Sequence, residues 1–197
     1  ITDYIRNGGD KAEFLARFKK AHSDDFDPDI HLQEIGVANQ TTMLKSETEE
    51  IQNRLKKAIN DRDGNTDKFS FFDTICGATQ ERQDALFDML KKPMDLLLVI
   101  GGYNSSNTAH LVEIGNKNLP TYFIRKSSCL ESLEKIVHFD LEKNEEIEAR
   151  NVLAGFNKQE ATVGITAGAS CPANLIEEAI SRVLALRGIE RSEIEAL

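Results

Sequence analysis

Short apolar runs alternate with small polar loops and helical patterns along most of the chain. In the middle, Leu96-Leu97-Leu98-Val99-Ile100 is an unbroken apolar run of the kind found in buried parallel strands. A polar loop at residues 101–107 follows it, and residues 108–117 then carry apolar side chains at helical spacing. This pattern predicts a βα unit.

The same order of apolar run, polar loop and helical pattern predicts three further βα units. Ser46 and Glu49 are spaced like a capping box at the start of one helix, and Pro172 is a favoured first-turn residue for another. A run of such units predicts an α/β fold with parallel strands. The predicted strands lie at residues 35–38, 69–75 and 162–165, and the predicted helices at about 46–59, 80–91 and 172–186.

The rest of the chain gives weaker patterns. Residues 121–124 read as another strand, and residues 11–21 as a helix. Residues 25–30 contain Pro28 and are expected to form a linker. Residues 127–157 are charged and weakly patterned, which predicts a short helix followed by an exposed connection without a functional role.

Composition narrows the class of protein. Hydrophobic residues make up 40% of the 197 residues, which supports a globular fold. The net charge of −9 argues against a nucleic-acid surface, and no stretch approaches the roughly 20 apolar residues of a membrane span. We therefore expect a soluble protein. Because the chain starts at Ile1 rather than Met, we also expect that sequence is missing upstream.

The four predicted βα loops share one kind of chemistry. The carboxyl ends of parallel strands meet at one edge of a sheet, where each loop leads into a helix amino terminus. Hydroxyl and amide groups beside such a terminus suit a phosphate without Lys or Arg. The sequence thus predicts a phosphorylated or diphosphorylated ligand. The loop residues are Gln40, Thr41, Thr42, Thr79, Asn104, Ser105, Ser106, Asn107, Thr166 and Ser170.

Each of these residues has a simpler interpretation. Ser, Thr and Asn also cap helices that bind nothing, so ligand binding and capping both stay open for any single loop. Cys76 stands between a predicted strand and a helix, where the positive helix end favours a thiolate for a nucleophile or metal ligand. A buried structural cysteine is the alternative. Cys129, Cys171 and His110 show no ligand spacing.

Four ordered motifs carry a family resemblance. They read ANQTTMLK at residues 38–45, DTICGATQERQ at 73–83, GGYNSSNT at 101–108 and GITAGAS at 164–170. Together they resemble hydroxymethylbutenyl diphosphate reductase, an iron–sulfur reductase of the LytB type, in its plant and cyanobacterial branch. The resemblance extends over residues 26–180 and indicates the C-terminal portion of such an enzyme.

The resemblance implies a fold of three parallel βαβ modules around a central 4Fe-4S cluster held by three cysteines. Residues 1–66 would end the second α/β module, and residues 67–197 would form the third with a C-terminal helix. Cys76 would be the last cluster ligand, with the other two cysteines upstream of this chain. Thr41 would lie near the substrate hydroxyl as the catalytic residue. The implied substrate-binding residues are Gln40, Thr41, Thr42, Thr79, Ser105, Ser106, Asn107 and Ser170.

The implied reaction is reductive dehydroxylation of 4-hydroxy-3-methylbut-2-enyl diphosphate to isopentenyl and dimethylallyl diphosphates. Electrons would come from a ferredoxin- or flavodoxin-like donor. The compartment would be the cytoplasm in a bacterium, or the plastid stroma in a plant or alga. Because two cluster ligands would be missing, we expect the chain alone to be inactive. The alternative is an isolated diphosphate-binding module without redox activity.

The loop positions also give a geometric expectation. Gln40, Thr41, Thr79, Ser105, Asn107 and Ser170 should share one concave face, since each follows a parallel strand. Cys76 should point into the same concavity without a disulfide partner.

Overall fold

The computed structural model describes residues 1–19, 21–152 and 161–189. The chain divides into two compact units, residues 1–75 and 76–197. Both contain parallel strand pairs together with helices, so the α/β fold class predicted from the sequence is confirmed. The assignment of residues 1–66 and 67–197 to the second and third modules of a larger enzyme stays a prediction.

The first unit contains a two-stranded parallel sheet. Its strands pair in register from Ile35 with Phe69 to Ala38 with Phe72. A small core of Ile5, Ala58 and Ile59 lies beneath it. The elements are α1 (Thr2–Asn7), α2 (Lys11–Arg17), α3 (Pro28–His31), β1 (Ile35–Ala38), α4 (Lys45–Asp63) and β2 (Phe69–Phe72).

The second unit is built on a five-stranded sheet with the strand order β6-β5-β4-β3-β7. β3 is parallel to both of its neighbours, β4 and β7, whereas β5 is antiparallel to both of its neighbours, β4 and β6. The elements are α5 (Gly77–Leu90), β3 (Leu96–Ile100), α6 (Ser106–Asn116), β4 (Thr121–Ile124), β5 (Lys135–Asp140), β6 (Glu145–Arg150), β7 (Val163–Ala167) and α7 (Ala173–Leu186).

The central strand explains why this sheet forms. All five residues of β3 are buried, as the unbroken apolar run predicts for a strand covered on both faces. The apolar face of α7 contributes Ala179 and Val183 to the core cluster that includes Leu96, Leu98 and Ile100. Burial of these side chains fixes the sheet, and the sheet in turn fixes the loops that leave the carboxyl ends of β3 and β7.

The prediction for residues 127–157 is wrong in its main part. A single 3₁₀ turn at Ser127–Cys129 is followed by the β5–β6 hairpin rather than by an exposed connection. The charged side chains of β6 alternate with the half-buried Ile147 and Ala149, and this period of two is typical of a strand. The hairpin turn uses Asn144 at φ 56°, a conformation that Asn tolerates. Residues 153–157 lie outside the described residues.

Several helix starts also differ from the prediction. α4 begins at Lys45 with Leu44 as its N-cap, so Ser46 lies inside the helix and forms no capping box. α5 begins at Gly77, three residues before the predicted start, and makes Cys76 its N-cap. Pro28 starts the short helix α3 instead of a linker, with the Asp27 carboxylate accepting from the backbone amide of Asp29.

Within the described ranges, no helix is both long and apolar enough to cross a membrane.

Candidate functional site

A closed turn follows the carboxyl end of β1, β3 and β7 alike. In each turn a backbone N–H donates to the carbonyl three residues earlier, which fixes the two corner residues between them. The corners hold Thr41 and Thr42 after β1, Tyr103 and Asn104 after β3, and Ala169 and Ser170 after β7. The bonds join Met43 to Gln40 at 3.2 Å, Ser105 to Gly102 at 2.9 Å and Cys171 to Gly168 at 2.9 Å.

In the first unit, the β1 turn carries three of the predicted site residues. Gln40 and Thr41 are exposed and Thr42 is half-buried. Asn39, just before the turn, is tied by hydrogen bonds to Thr74 in the loop after β2. The turn is therefore held at its base while its corner hydroxyls remain accessible.

In the second unit, Ser105 is the N-cap of α6. Its Oγ accepts a hydrogen bond from the Thr108 amide at 3.3 Å and another from the Thr108 hydroxyl at 3.0 Å. The capping interpretation therefore holds for Ser105. Its own hydroxyl proton is still able to donate to a ligand.

Asn107, two residues into α6, has no such role. Its side chain is buried, and neither Nδ2 nor Oδ1 has a hydrogen-bond partner within the part of the chain that the structure describes. A buried amide left unpaired costs about 1–3 kcal/mol of stability. Helix capping therefore does not account for Asn107, in contrast to Ser105.

The β3–α6 and β7–α7 loops lie side by side. β3 and β7 pair as far as Ile100 with Ala167, the last residue of each strand. Beyond that point Thr108 contacts both loops: a Cβ on Gly168 would stand 2.1 Å from Thr108 Oγ1, and one on Gly101 2.6 Å from it. Only glycine leaves room for Thr108, so the structure brings Ser105 and Ser170 onto neighbouring turns.

α5 adds the candidate cluster ligand. Cys76 is exposed at the helix amino terminus and its side chain makes no capping bond. Thr79 is buried in the first turn, and α5 packs against α6 and β7. Burial raises the pKa of the Cys171 thiol, and the Arg82 guanidinium of α5 opposes that rise. The first turns of α5 therefore lie close to the β7–α7 loop.

The cysteines supply one accessible thiol at these loops. All three are free, but Cys129 is buried and Cys171 half-buried. Among the residues that the structure describes, no three His, Cys, Asp or Glu side chains are placed to hold a metal ion. His110 Nδ1 lies 3.0 Å from Glu113 Oε2 on the same helix. Cys76 thus fits one ligand position of a cluster, and the described residues do not complete the set.

Sequence reasoning missed one contact of the β3–α6 turn. The Tyr103 hydroxyl donates to Glu146 Oε1 at 2.9 Å, which links the turn to the β5–β6 hairpin. The alternation of Ile147 and Ala149 with charged residues was the available signal for that hairpin. Convergence of the β1 turn with the loops of the second unit stays a prediction.

Comparisons with known proteins identify relatives that match nearly the whole chain. The chain is 47% identical over 197 residues to 4-hydroxy-3-methylbut-2-enyl diphosphate reductase of Gloeobacter violaceus, covering 98% of this chain and 46% of that protein. It is 45% identical to the reductase of Thermosynechococcus vestitus, covering 96% of this chain and 47% of that one. The chain thus spans about half the length of the curated relatives it matches.

A solved structure gives the same fold. The reductase of Plasmodium falciparum, described as the E-1-hydroxy-2-methyl-but-2-enyl-4-diphosphate reductase, matches 85% of this chain and 42% of its own, with a TM-score of 0.53 at 20% identity. The sequence model of the LytB protein family matches residues 8–184. Since that match takes in both units and all four candidate loops, this chain belongs to the LytB protein family.

Proposed function

We propose that this chain forms part of a 4-hydroxy-3-methylbut-2-enyl diphosphate reductase and supplies its diphosphate-binding turns together with one cluster thiolate. The reaction would be reductive dehydroxylation to isopentenyl and dimethylallyl diphosphates. The electron donor would be a ferredoxin- or flavodoxin-like protein. The enzyme would work in the cytoplasm of a bacterium, or in the plastid stroma of a plant or alga.

The observation that carries this proposal is the unpaired amide of Asn107. It lies in the first turn of α6, where backbone N–H groups lack helical partners and attract anions. A phosphate oxygen accepting from Asn107 Nδ2 would offset the penalty of the buried, unpaired amide. The exposed Ser106 and the free hydroxyl proton of Ser105 would donate to the same group.

Two other elements would complete the second unit's share of the site. Ser170 is exposed on the turn beside Ser105 and would donate to a second phosphate. Thr79 lies in the first turn of α5, whose amino terminus likewise presents free N–H groups. Neutral donors of this kind bind a diphosphate through hydrogen bonds and helix dipoles.

Cys76 would be the chain's cluster ligand. It is exposed and free at the amino terminus of α5, so its sulfur is accessible to an iron atom. A 4Fe-4S cluster, when bound, supplies electrons and a Lewis-acidic iron. The described residues do not offer the further thiolates that such a cluster needs.

The β1 turn would act on the other end of the substrate. The reaction breaks a C–O bond, adds two electrons and two protons, and releases the hydroxyl as water. The exposed Thr41 hydroxyl, flanked by Gln40 and Thr42, would hydrogen-bond the departing hydroxyl and hold it in place. Thr41 would thus orient the leaving group.

A chimera tests the proposal. This chain would replace its matched segment in the Gloeobacter violaceus reductase, and the purified chimera would be assayed for iron, sulfide and reductase activity. We expect a cluster and turnover in the chimera, and loss of both with Cys76→Ser. A chimera that folds and binds its cluster equally well with Cys76→Ser would refute the assigned ligand.

One observation favours a second candidate, a diphosphate-binding module without redox activity. The described residues place no complete set of metal ligands together. Under this alternative the chain binds diphosphate by itself, and the chimera gains no reductase activity although it folds. Reductase activity of the chimera separates the two candidates, because both expect the isolated chain to bind inorganic diphosphate.

A further inference from the structure

Tyr103 contacts several side chains of the surrounding sheet and hairpin. Its ring stacks on Phe139 of β5, with 4.5 Å between centroids, and meets the edge of Phe123 of β4 at 5.1 Å. Its hydroxyl donates to Glu146 Oε1 of β6 at 2.9 Å. Arg125 completes the cluster, with its guanidinium 5.6 Å from the ring centroid and its Nε 3.5 Å from Glu146 Oε1.

The same tyrosine is a corner residue of the β3–α6 turn. The turn is closed by the hydrogen bond from the Ser105 amide to the Gly102 carbonyl. Ser105 is at once the last residue of the turn and the N-cap of α6. Tyr103 is thus joined within one closed turn to the amino terminus of α6, where Ser106 and Asn107 lie.

The other anchors hold the two ends of the turn rather than its corner, and one of them is Ser105, which accepts from the amide and the hydroxyl of Thr108. The Gly101 amide donates to Ile124 and extends the β3–β4 pairing by one residue. Asn104, the second corner residue, is exposed. Among the four residues of the turn, Tyr103 thus makes the contacts with β4, β5 and β6 that orient it.

From these contacts we infer that Tyr103 is a positioning residue, through which the β5–β6 hairpin sets the geometry of the diphosphate-binding turn. This inference rests on the proposed function for its ligand. It assigns a role to the β5–β6 hairpin at residues 135–150, which contains none of the candidate ligand-binding residues. Burial, and then the hydrogen bond to Glu146, raise the pKa of Tyr103, so the phenol stays protonated and continues to donate.

Four variants test the inference. Tyr103→Phe keeps the stacked ring and removes only the hydroxyl, while Glu146→Ala removes its acceptor. Glu146→Gln retains an acceptor oxygen for the Tyr103 hydroxyl and should restore the behaviour of the parent chain. Glu145→Ala, an exposed neighbour on the same strand, is the matched control for loss of a carboxylate.

Each variant of this chain is examined by two measurements, hydrogen exchange and diphosphate titration. Hydrogen exchange reports the turn through the Ser105 and Thr108 amides, with the Leu97 amide of β3 as a reference for global opening. Inorganic diphosphate is the binding probe, titrated by NMR. Tyr103→Phe and Glu146→Ala should each speed exchange at Ser105 and Thr108 up to about tenfold. They should leave the Leu97 amide unchanged and weaken diphosphate binding several-fold.

The pattern among variants decides the outcome. A fifth variant, which combines Tyr103→Phe with Glu146→Ala, should behave like Glu146→Ala alone, because Glu146→Ala already removes the hydrogen bond from Tyr103 together with the Arg125 ion pair. Glu145→Ala should behave like the parent chain. Additive effects, or no change in exchange with Tyr103→Phe, would overturn the inference. If the parent chain binds no diphosphate, the proposed ligand is wrong. The exchange data then decide by themselves whether the hairpin orients the turn.

Discussion

The hydroxyl of Thr74 makes two hydrogen bonds with the backbone of Asn39. Its Oγ1 accepts from the Asn39 amide at 2.9 Å and donates to the Asn39 carbonyl at 2.6 Å. One side chain therefore continues the β1–β2 pairing past the end of both strands. Gln40 and Thr41 follow directly, so the base of the candidate substrate turn depends on this hydroxyl.

Removing the hydroxyl should loosen the turn. We expect Thr74→Val to lower the free energy of unfolding of the first unit by about 1–3 kcal/mol, because both backbone groups of Asn39 lose their partner. Thr74→Ser keeps the hydroxyl and should stay within about 0.5 kcal/mol of the parent chain. Urea unfolding and hydrogen exchange at the Asn39 amide measure the effect. Equal stability of the Val and Ser variants would show that water replaces the bridge.

Asn107 should show opposite effects on stability and binding. Asn107→Leu replaces an unpaired buried amide by an apolar side chain of similar size, so unfolding free energy should rise by about 1 kcal/mol without ligand. Diphosphate affinity should fall at least tenfold, since the donor at the α6 terminus is lost. Thermal unfolding measures the effect on stability, and titration with inorganic diphosphate measures the effect on affinity. A destabilised variant would mean that the amide has a partner in solution.

The packing of Thr108 against two glycines predicts a contrast between neighbours. Gly101→Ala and Gly168→Ala would each push a methyl group into the Thr108 side chain and should destabilise the second unit by about 1–3 kcal/mol. Gly102→Ala meets nothing within 4 Å and should be nearly neutral. Adding Thr108→Ala to Gly168→Ala should recover part of the loss. Chemical denaturation of the four variants tests this order.

Sequence patterns predicted the parts of the fold that depend on local burial. The run at residues 96–100 became β3 without change, because a strand covered on both faces needs only continuous apolar residues. α6 begins at Ser106, two residues before the predicted start, because Ser105 provides the N-cap. The same rule placed the turns after β1, β3 and β7 correctly, but two predicted loop residues lie within elements: Thr166 in β7 and Thr79 in α5.

Contacts between residues that lie far apart in the sequence could not be predicted from sequence patterns. The bridge from Thr74 to Asn39 joins two loops 35 residues apart, and neither residue type signals it. The unpaired state of Asn107 depends on what surrounds it after folding, so capping and ligand binding could not be separated in advance. The β5–β6 hairpin was missed because its many charges outweighed a weak alternation that becomes clear only beside β4.

His138 of the β5–β6 hairpin makes the stability of the second unit depend on pH. Burial lowers the pKa of this imidazole below its usual value of 6.5, and its ring meets the edge of Tyr122 at 5.1 Å. Asp140 raises that pKa and Lys143 lowers it, but burial is the larger effect. A depressed folded-state pKa means that stability is complete above pH 6.5 and declines as the pH falls towards the folded value.

We therefore expect the free energy of unfolding to fall between pH 7.5 and pH 5.5. His138→Phe keeps an aromatic ring against Tyr122 and should remove that part of the pH dependence. His110→Gln, on α6, serves as the control for loss of a histidine elsewhere in the unit. Urea unfolding at both pH values measures the change. A slope that persists in His138→Phe would assign the pH dependence to other groups.

Cluster assembly on this chain alone provides the last prediction. A 4Fe-4S cluster with one open iron needs three protein thiolates, and Cys76 is the exposed one. Cys129 is buried against Tyr103, and Cys171 is half-buried beside its own turn, so neither joins Cys76 in a group of metal ligands among the described residues. Anaerobic reconstitution should therefore leave little iron and sulfide on the chain and no reductase activity, while inorganic diphosphate still binds. Cys76→Ser should lower the residual iron content and leave diphosphate affinity unchanged, because the thiol would bind iron whereas the α6 turn would bind diphosphate. A stable, stoichiometric cluster with turnover on the isolated chain would show that Cys129 and Cys171 both move to complete the ligand set.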